Sequence, residues 1–198
     1  MAKSSSGIER VTVFTGSKHG NTDAYVGAVE AFAQALADRG LGVVFGGGDV
    51  GLMGVLADTA LAAGTEVHGV MPESLLSAEI PHQRLTRLEV VPNMHARKYR
   101  MAELGDAFVA LPGGIGTLEE FFEIWTWQQL GLHIKPVALL NAAGFWDPLL
   151  DMIDHMAAQG LVRRSFTDAL IVESTPAALL DALASWQPST KPSAAPRD

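Results

Sequence analysis

Short apolar runs alternate with amphipathic stretches from residue 10 almost to residue 186. Arg10–Thr15, Leu41–Phe45, Glu66–Met71, Leu85–Val91, Ala107–Leu111, Pro136–Leu140 and Leu170–Glu173 read as strands: each is short and apolar. Between the first two runs, Thr22–Arg39 places Tyr25, Val29, Phe32 and Leu36 at helical spacing, and Gly40 ends the pattern. Val50–Ala63, Asn93–Leu104, Thr117–Leu130, Phe145–Gln159 and Pro176–Trp186 read as further helices. Asn93 suits an N-cap and Pro176 a first helical turn. Pro72–Arg84 is bounded by prolines and reads as a loop over an edge of the sheet.

Strands buried on both faces and each followed by a helix imply a Rossmann-like α/β sandwich of three layers: a mostly parallel central sheet with helices on both faces. The expected organisation is a flexible N-terminus over 1–9, one nucleotide-binding catalytic domain over 10–186, and a disordered Pro-, Ser- and Ala-rich tail over 187–198. In such sheets ligands bind outside the carboxyl ends of the strands, so the residues after each strand are the ones to read for chemistry.

Gly16 and Ser17 follow the first strand, where a glycine admits a ligand to the backbone and a helix start offers donors to an anion. An ordinary strand-to-helix turn explains them equally well. Gly46, Gly47 and Gly48 follow the second strand, and with Gly51 they match G-x-G-x-x-G. A dinucleotide fingerprint belongs on the first strand–helix unit, so the match favours a nucleotide more than it favours NAD. After the fifth strand, Pro112-Gly113-Gly114-Ile115-Gly116-Thr117 opens directly onto a helix. Its free N–H groups and the helix dipole suit a phosphate without any lysine, and Thr117 is placed to cap the helix. Glu119 and Glu120 then fall in the first turn, where the dipole alone would also favour acids. Arg97 and Lys98 start the preceding helix at the same edge of the sheet. Such a pair is commonly a solvated face; beside a phosphate nest, Arg97 can also fix a phosphate or pair with a glutamate.

Composition narrows the classes. The chain has 198 residues, a formal net charge of −8 and no cysteine, which excludes disulfides, thiolate catalysis and Cys-ligated zinc. A diffuse acidic balance argues against nucleic-acid binding. Neither a signal peptide nor a membrane-spanning run is visible, so a cytoplasmic protein without a membrane partner is expected. The six histidines show no ligand spacing, and neither G-x-S-x-G nor a P-loop pattern occurs. Phe121, Phe122, Ile124, Trp125 and Trp127 make one helix apolar all round, as expected of a helix buried between the sheet and a second subunit.

Arg97-Lys98 followed by Pro112-Gly113-Gly114-Ile115-Gly116-Thr117-Leu118-Glu119-Glu120 resembles the signature of the LOG ("Lonely guy") family, P-G-G-x-G-T-x-x-E. These are cytokinin riboside 5′-monophosphate phosphoribohydrolases, long mislabelled as lysine decarboxylases. Phe14–Ser17, Phe45–Gly48 with Gly51-Leu52-Met53-Gly54, and Thr126–Gly131 also fit, so the resemblance runs to about Val172. It implies a Rossmann-like homodimer that cleaves a small nucleotide without metal or redox cofactor. It implies Arg97 and Glu120 as the catalytic pair. It implies substrate contacts from Glu79, Lys98, Gly114, Ile115, Gly116, Thr117, Leu118, Glu119 and Thr126, with Met53, Gly113 and the glycines at 16 and 46–48 beside them. Ile115 stands where the family usually has tyrosine, and the 77–82 loop differs from the common version; both bear on the choice of base. An AMP or general nucleoside-monophosphate nucleosidase and a non-catalytic nucleotide binder are the alternatives.

Overall fold

Strands that are apolar on both faces need cover on both faces, and this chain supplies it with helices. The computed structural model describes residues 7–76 and 80–188. Its strands are β1 (Arg10–Phe14), β2 (Gly42–Phe45), β3 (Val67–Pro72), β4 (Arg87–Val91), β5 (Ala107–Ala110), β6 (Val137–Leu140) and β7 (Ile171–Glu173). They form one sheet in the order β4-β3-β2-β1-β5-β6-β7, and each neighbouring pair is parallel. The expected "mostly parallel" sheet is thus parallel throughout, because every connection crosses back over a face.

The helices are α1 (Asp23–Asp38), α2 (Gly51–Ala62), α3 (Met94–Leu104), α4 (Ile115–Gln129), α5 (Asp147–Ala158), α6 (Arg164–Thr167) and α7 (Pro176–Ser185). Phe32 and Leu36 of α1, Leu56 of α2 and Leu179 of α7 share one core with Val11, Val43 and Val109. Met101 of α3, Phe121 and Trp125 of α4 and Ile153 of α5 share the other with Val44, Phe108 and Leu139. The chain starts in mid-sheet, steps outward to β4, then returns to β5 beside β1, with Val11 opposite Ala107 and Phe14 opposite Ala110. Strand order reverses there, which opens a crevice at the carboxyl ends of β1 and β5.

Boundaries shift where local side chains take over. α4 starts at Ile115 rather than Thr117; its N-cap is Gly114, and no side chain caps it. Thr117 is therefore not the cap: it is buried inside the first turn. α5 starts at Asp147 rather than Phe145. The Asn141 side chain accepts from Trp146 N at 2.7 Å and donates to Asp147 at 2.7 Å, holding a turn where a helix was expected. α6 was not anticipated; a single helical turn is too short to show a period. Its Phe166 stacks on Trp125 at 4.9 Å, so this chain itself covers part of the α4 face expected to meet a second subunit. Asn93 caps α3 as expected, accepting from Ala96 N at 2.9 Å. The 72–84 stretch holds a 3-10 turn at Glu73–Leu75. Residues 1–6, Ser77–Glu79 and 189–198, and with them Glu79 and most of both expected termini, lie outside the described residues. Among the described residues no helix is long and apolar enough to cross a membrane.

α3 carries Arg97 and Lys98, and its far end is anchored by a half-buried lysine. Lys135 Nζ donates to Ala102 O at 2.7 Å and to Gly105 O at 2.6 Å. Thr12 Oγ1 donates to Met101 O at 2.9 Å, tying the same turn to β1. Desolvation pulls the Lys135 pKa below its ordinary value, against the opposing charges of Asp106 and Glu103. Lys135→Met should leave two helix-end carbonyls without these donors and cost about 2 kcal/mol. Thermal denaturation should then show a midpoint lower by about 4–8 °C; an unchanged midpoint contradicts the anchor.

Candidate active site

The crevice is built by stitching the loop after β1 to the loop after β5. Gly16 N donates to Pro112 O at 3.2 Å, and Thr15 Oγ1 donates to the same oxygen at 3.0 Å. Met53 N, in the first turn of α2, donates to Gly16 O at 3.3 Å. Gly113 lies flat in this seam: a Cβ there would overlap the Thr117 hydroxyl and meet Gly16 N. These contacts fix the entry to α4. The N–H groups of Ile115, Gly116 and Thr117 have no partner within their helix, and a glycine cap offers them no side chain. An uncapped helix start with a positive dipole end fits an anion such as phosphate.

A cavity of about 430 Å³ opens against this helix start, lined by Ser17, Lys18, Tyr25, Leu52, Phe145 and the 112–115 backbone. Tyr25 and Phe145 meet edge to face with ring centroids 5.2 Å apart. Sequence reading placed Gly16, Ser17, Gly113, Gly114 and Ile115 here but missed Tyr25, Leu52 and Phe145. Tyr25 was visible only as one apolar position of a helix, and nothing local distinguishes it from a core residue. Ile115 is 88% exposed at the mouth of the cavity.

Arg97 and Glu120 meet on the α3–α4 side of the same loop. Arg97 is only 6% exposed, although it carries a permanent charge. Its Nε donates to Val70 O at 3.1 Å, and Nη1 faces Met94 Sδ at 3.8 Å. Nη2 lies 4.0 Å from Glu120 Oε1, so the two act on each other through charge rather than a direct hydrogen bond. Glu120 sits one helical turn beyond Gly116, on the same face of α4. Neither Arg97 nor Glu120 lines the cavity itself, which opens on the other side of the helix start.

Glycine 46 is what lets Arg97 in. A Cβ at Gly46 would overlap the Arg97 guanidinium. Gly47, at φ +84°, lies against Leu88 and the Gly69 backbone, and Gly48 is buried. Close approach to a nucleotide was the reason expected for these glycines; the structure gives Gly46 and Gly47 another, the packing of the protein against itself.

Lys98 turns to the other side of α3 and is buried by two carboxylates. Its ammonium contacts Glu119 closely and Glu123 Oε2 at 2.9 Å. Burial alone would lower its pKa; the hydrogen bonds to Glu119 and Glu123 outweigh that and hold it above the ordinary lysine value. Lys98 is thus a fixed cation. Glu123 was missed, because its place one turn after Glu119 has meaning only once Lys98 is known to face it. Leu118 is half-buried behind the nest. Thr126 is exposed, about 13 Å along the α4 axis from Thr117, and the fold does not bring it to the nest.

Fold and site together define a Rossmann-type protein with an uncapped helix start near a buried arginine and a part-buried glutamate. Residues 53–183 match the family model described as "Possible lysine decarboxylase". Relatives named cytokinin riboside 5′-monophosphate phosphoribohydrolase include one from Rhodococcoides fascians, 50% identical over 163 residues (82% of each chain). Another, LOG2 of Arabidopsis thaliana, is 43% identical over 190 residues, 95% of this chain and 88% of the relative. The chain belongs to this LOG family. Among solved structures, a molybdenum cofactor binding protein from Rippkaea orientalis superposes with a TM-score of 0.67 at 22% identity, covering 89% of this chain and 95% of that one. The molybdenum cofactor carrier protein of Chlamydomonas reinhardtii gives 0.66 at 20% identity, covering 87% and 94%. At that identity the likeness establishes the Rossmann-like fold alone.

Gly46→Ala isolates the role of the Arg97 berth. The glycine's backbone is one an alanine adopts freely, so the added methyl strains only the guanidinium. The variant should keep a thermal midpoint near that of the parent and lose on the order of 100-fold in kcat. Full turnover in Gly46→Ala would show that the position of Arg97 does not matter.

Proposed function

We propose that this chain hydrolyses the N-glycosidic bond of a cytokinin riboside 5′-monophosphate, an N6-substituted AMP, to the free base and ribose 5-phosphate. The observation that carries the reading is Arg97, buried and 4.0 Å from Glu120, beside the uncapped start of α4. Membership of the LOG family, with a relative of that name 50% identical, supports it.

The 5′-phosphate takes the N–H groups of residues 115–117. Its ribose then extends toward Glu120, which lies about 5 Å further along the helix axis. Cleavage develops positive charge on the sugar, as glycoside hydrolysis does. The Glu120 carboxylate stabilises that charge and takes a proton from the attacking water. Water oxygen bonds to C1′, the C1′–N bond breaks with its electrons going to the base, the base takes up a proton from solvent, and Glu120 returns to solvent the one it took. Arg97 places a positive charge 4.0 Å from the Glu120 carboxylate. Lys98, paired with Glu119 and Glu123, holds the starts of α3 and α4 together. Every chemical group in this scheme belongs to the chain, the nucleotide or water.

A Schiff-base chemistry of the kind the words "lysine decarboxylase" suggest does not fit Lys98. Such a lysine must give up its proton, and the Lys98 ammonium is held in the charged form by two glutamates. Ile115, 88% exposed beside the cavity, stands where the family usually has tyrosine, and this replacement bears on the choice between N6-substituted and plain adenine.

The same reading assembles the protein as a homodimer. Leu130, Leu132 and Ile134, at the end of α4 and just beyond it, are 68–69% exposed, and exposed Thr126 lies one turn before them. A second copy would cover this apolar segment. Light scattering should report twice the chain mass; a monomer at micromolar concentration overturns this part.

Glu120→Gln should leave a folded protein and lower kcat by on the order of 100-fold or more. Turnover close to that of the parent removes Glu120 from the mechanism. The phosphate nest further predicts that the 5′-monophosphate is cleaved with far higher kcat/KM than the free nucleoside, and equal values for the two contradict it.

A further inference from the structure

His82 is 3% exposed, lies outside the site described above, and is surrounded by charge. Its Nε2 lies 2.9 Å from Asp58 Oδ1 and 3.8 Å from Asp49 Oδ1. On the other side of the ring, Arg84 N–H donates to Nδ1 at 3.2 Å. The Arg84 side chain also contacts Asp58. Three ligand-type atoms thus converge from Asp49, Asp58 and His82, which raises the question of a metal. The hydrogen bonds answer it. A neutral imidazole that accepts at Nδ1 carries its proton on Nε2. Nε2–H donates to Asp58 and has no lone pair for a cation. Arg84 already supplies positive charge to the same carboxylate.

What this arrangement does hold is backbone. Asp49 N donates to Ile80 O at 2.8 Å, and His82 N donates to Gly47 O at 3.0 Å. Gly48 and Pro81 form an antiparallel bridge between these bonds. The 80–82 segment is therefore a short strap along the 47–49 loop, and the His82–Asp58 bond clamps its end to α2. The loop continues directly from Gly46, the residue packed against the Arg97 guanidinium. We infer that His82 is a positioning residue: clamped to Asp58, it fixes the 47–49 loop, and through Gly46 the berth of Arg97. The kinetic consequence rests on the nucleotide-cleaving reading; the mechanical one does not.

The two are separated by measuring amide exchange and kinetics on the same variants. His82→Leu keeps the ring's approximate bulk and removes both polar atoms. Asp58→Ala removes the acceptor from a half-exposed carboxylate, with little risk to the core, and serves should His82→Leu not fold. His82→Gln restores an N–H donor toward Asp58. In the free protein, the amides of Asp49 and His82 should exchange at least tenfold faster in His82→Leu and Asp58→Ala, while those of α4 stay unchanged. With a nucleoside monophosphate, kcat should fall about tenfold in the same two variants with KM within about threefold, and His82→Gln should recover most of it. Unchanged exchange at Asp49 and His82 in Asp58→Ala overturns the clamp. Faster exchange with parental kcat overturns its link to Arg97. If the parent cleaves no nucleotide, the functional reading fails, and the exchange data still decide the clamp.

Discussion

A permanently charged guanidinium, almost wholly buried at the carboxyl ends of β2 and β3, sets the terms for the rest of the structure. Burying a charge is costly unless polar groups receive it. Arg97 finds a main-chain oxygen on β3 for its Nε, and Glu120 for its charge, but at a distance too long for a hydrogen bond. The fold bends around it. Gly46 forgoes a side chain to admit it, α3 is anchored at its far end by Lys135, and Lys98 ties the start of α3 to α4. The Arg97 charge thus reaches Glu120 across 4.0 Å, and the proposed reaction uses that carboxylate.

The placement follows from topology. Strand order reverses between β1 and β5, so α1 and α4 leave for opposite faces of the sheet, and a crevice opens above the loops that Gly16 and Pro112 hold together. α4 begins at that crevice with no side chain covering its N-terminus. The same helix then carries Glu120 one turn further on and Glu119 and Glu123 toward Lys98. One rigid helix thereby carries both the uncapped start and the Glu120 carboxylate, which fixes the distance between them.

Much of this was legible in the sequence, and what was not has a common cause. The strand runs, the Asn93 cap and the phosphate-type loop at 113–117 are local patterns, and the fold class followed from their alternation. Arg97 and Glu120 could be paired only through a family signature, since an acid in a first helical turn has an ordinary dipole explanation. The misses are contacts between residues far apart in the chain. Lys98 with Glu123, Tyr25 with Phe145, and His82 with Asp58 leave no trace in spacing, because each depends on how two elements pack. The glycines at 46 and 47 were recognised as sites of close approach; that Gly46 admits Arg97 and Gly47 the Gly69 backbone is a long-range contact that spacing does not show. Thr117 has the chemistry of a cap yet lies inside the helix, because the tight Gly113–Gly114 turn starts α4 two residues earlier.

The central claim is that the Arg97–Glu120 pair breaks a glycosidic bond in a nucleotide held at the start of α4. Incubating the protein with N6-isopentenyladenosine 5′-monophosphate and resolving the products by chromatography tests it most directly. The account predicts free isopentenyladenine and ribose 5-phosphate in equal amounts. Recovery of the intact nucleotide from a protein that binds it would contradict the account and leave a nucleotide carrier in its place.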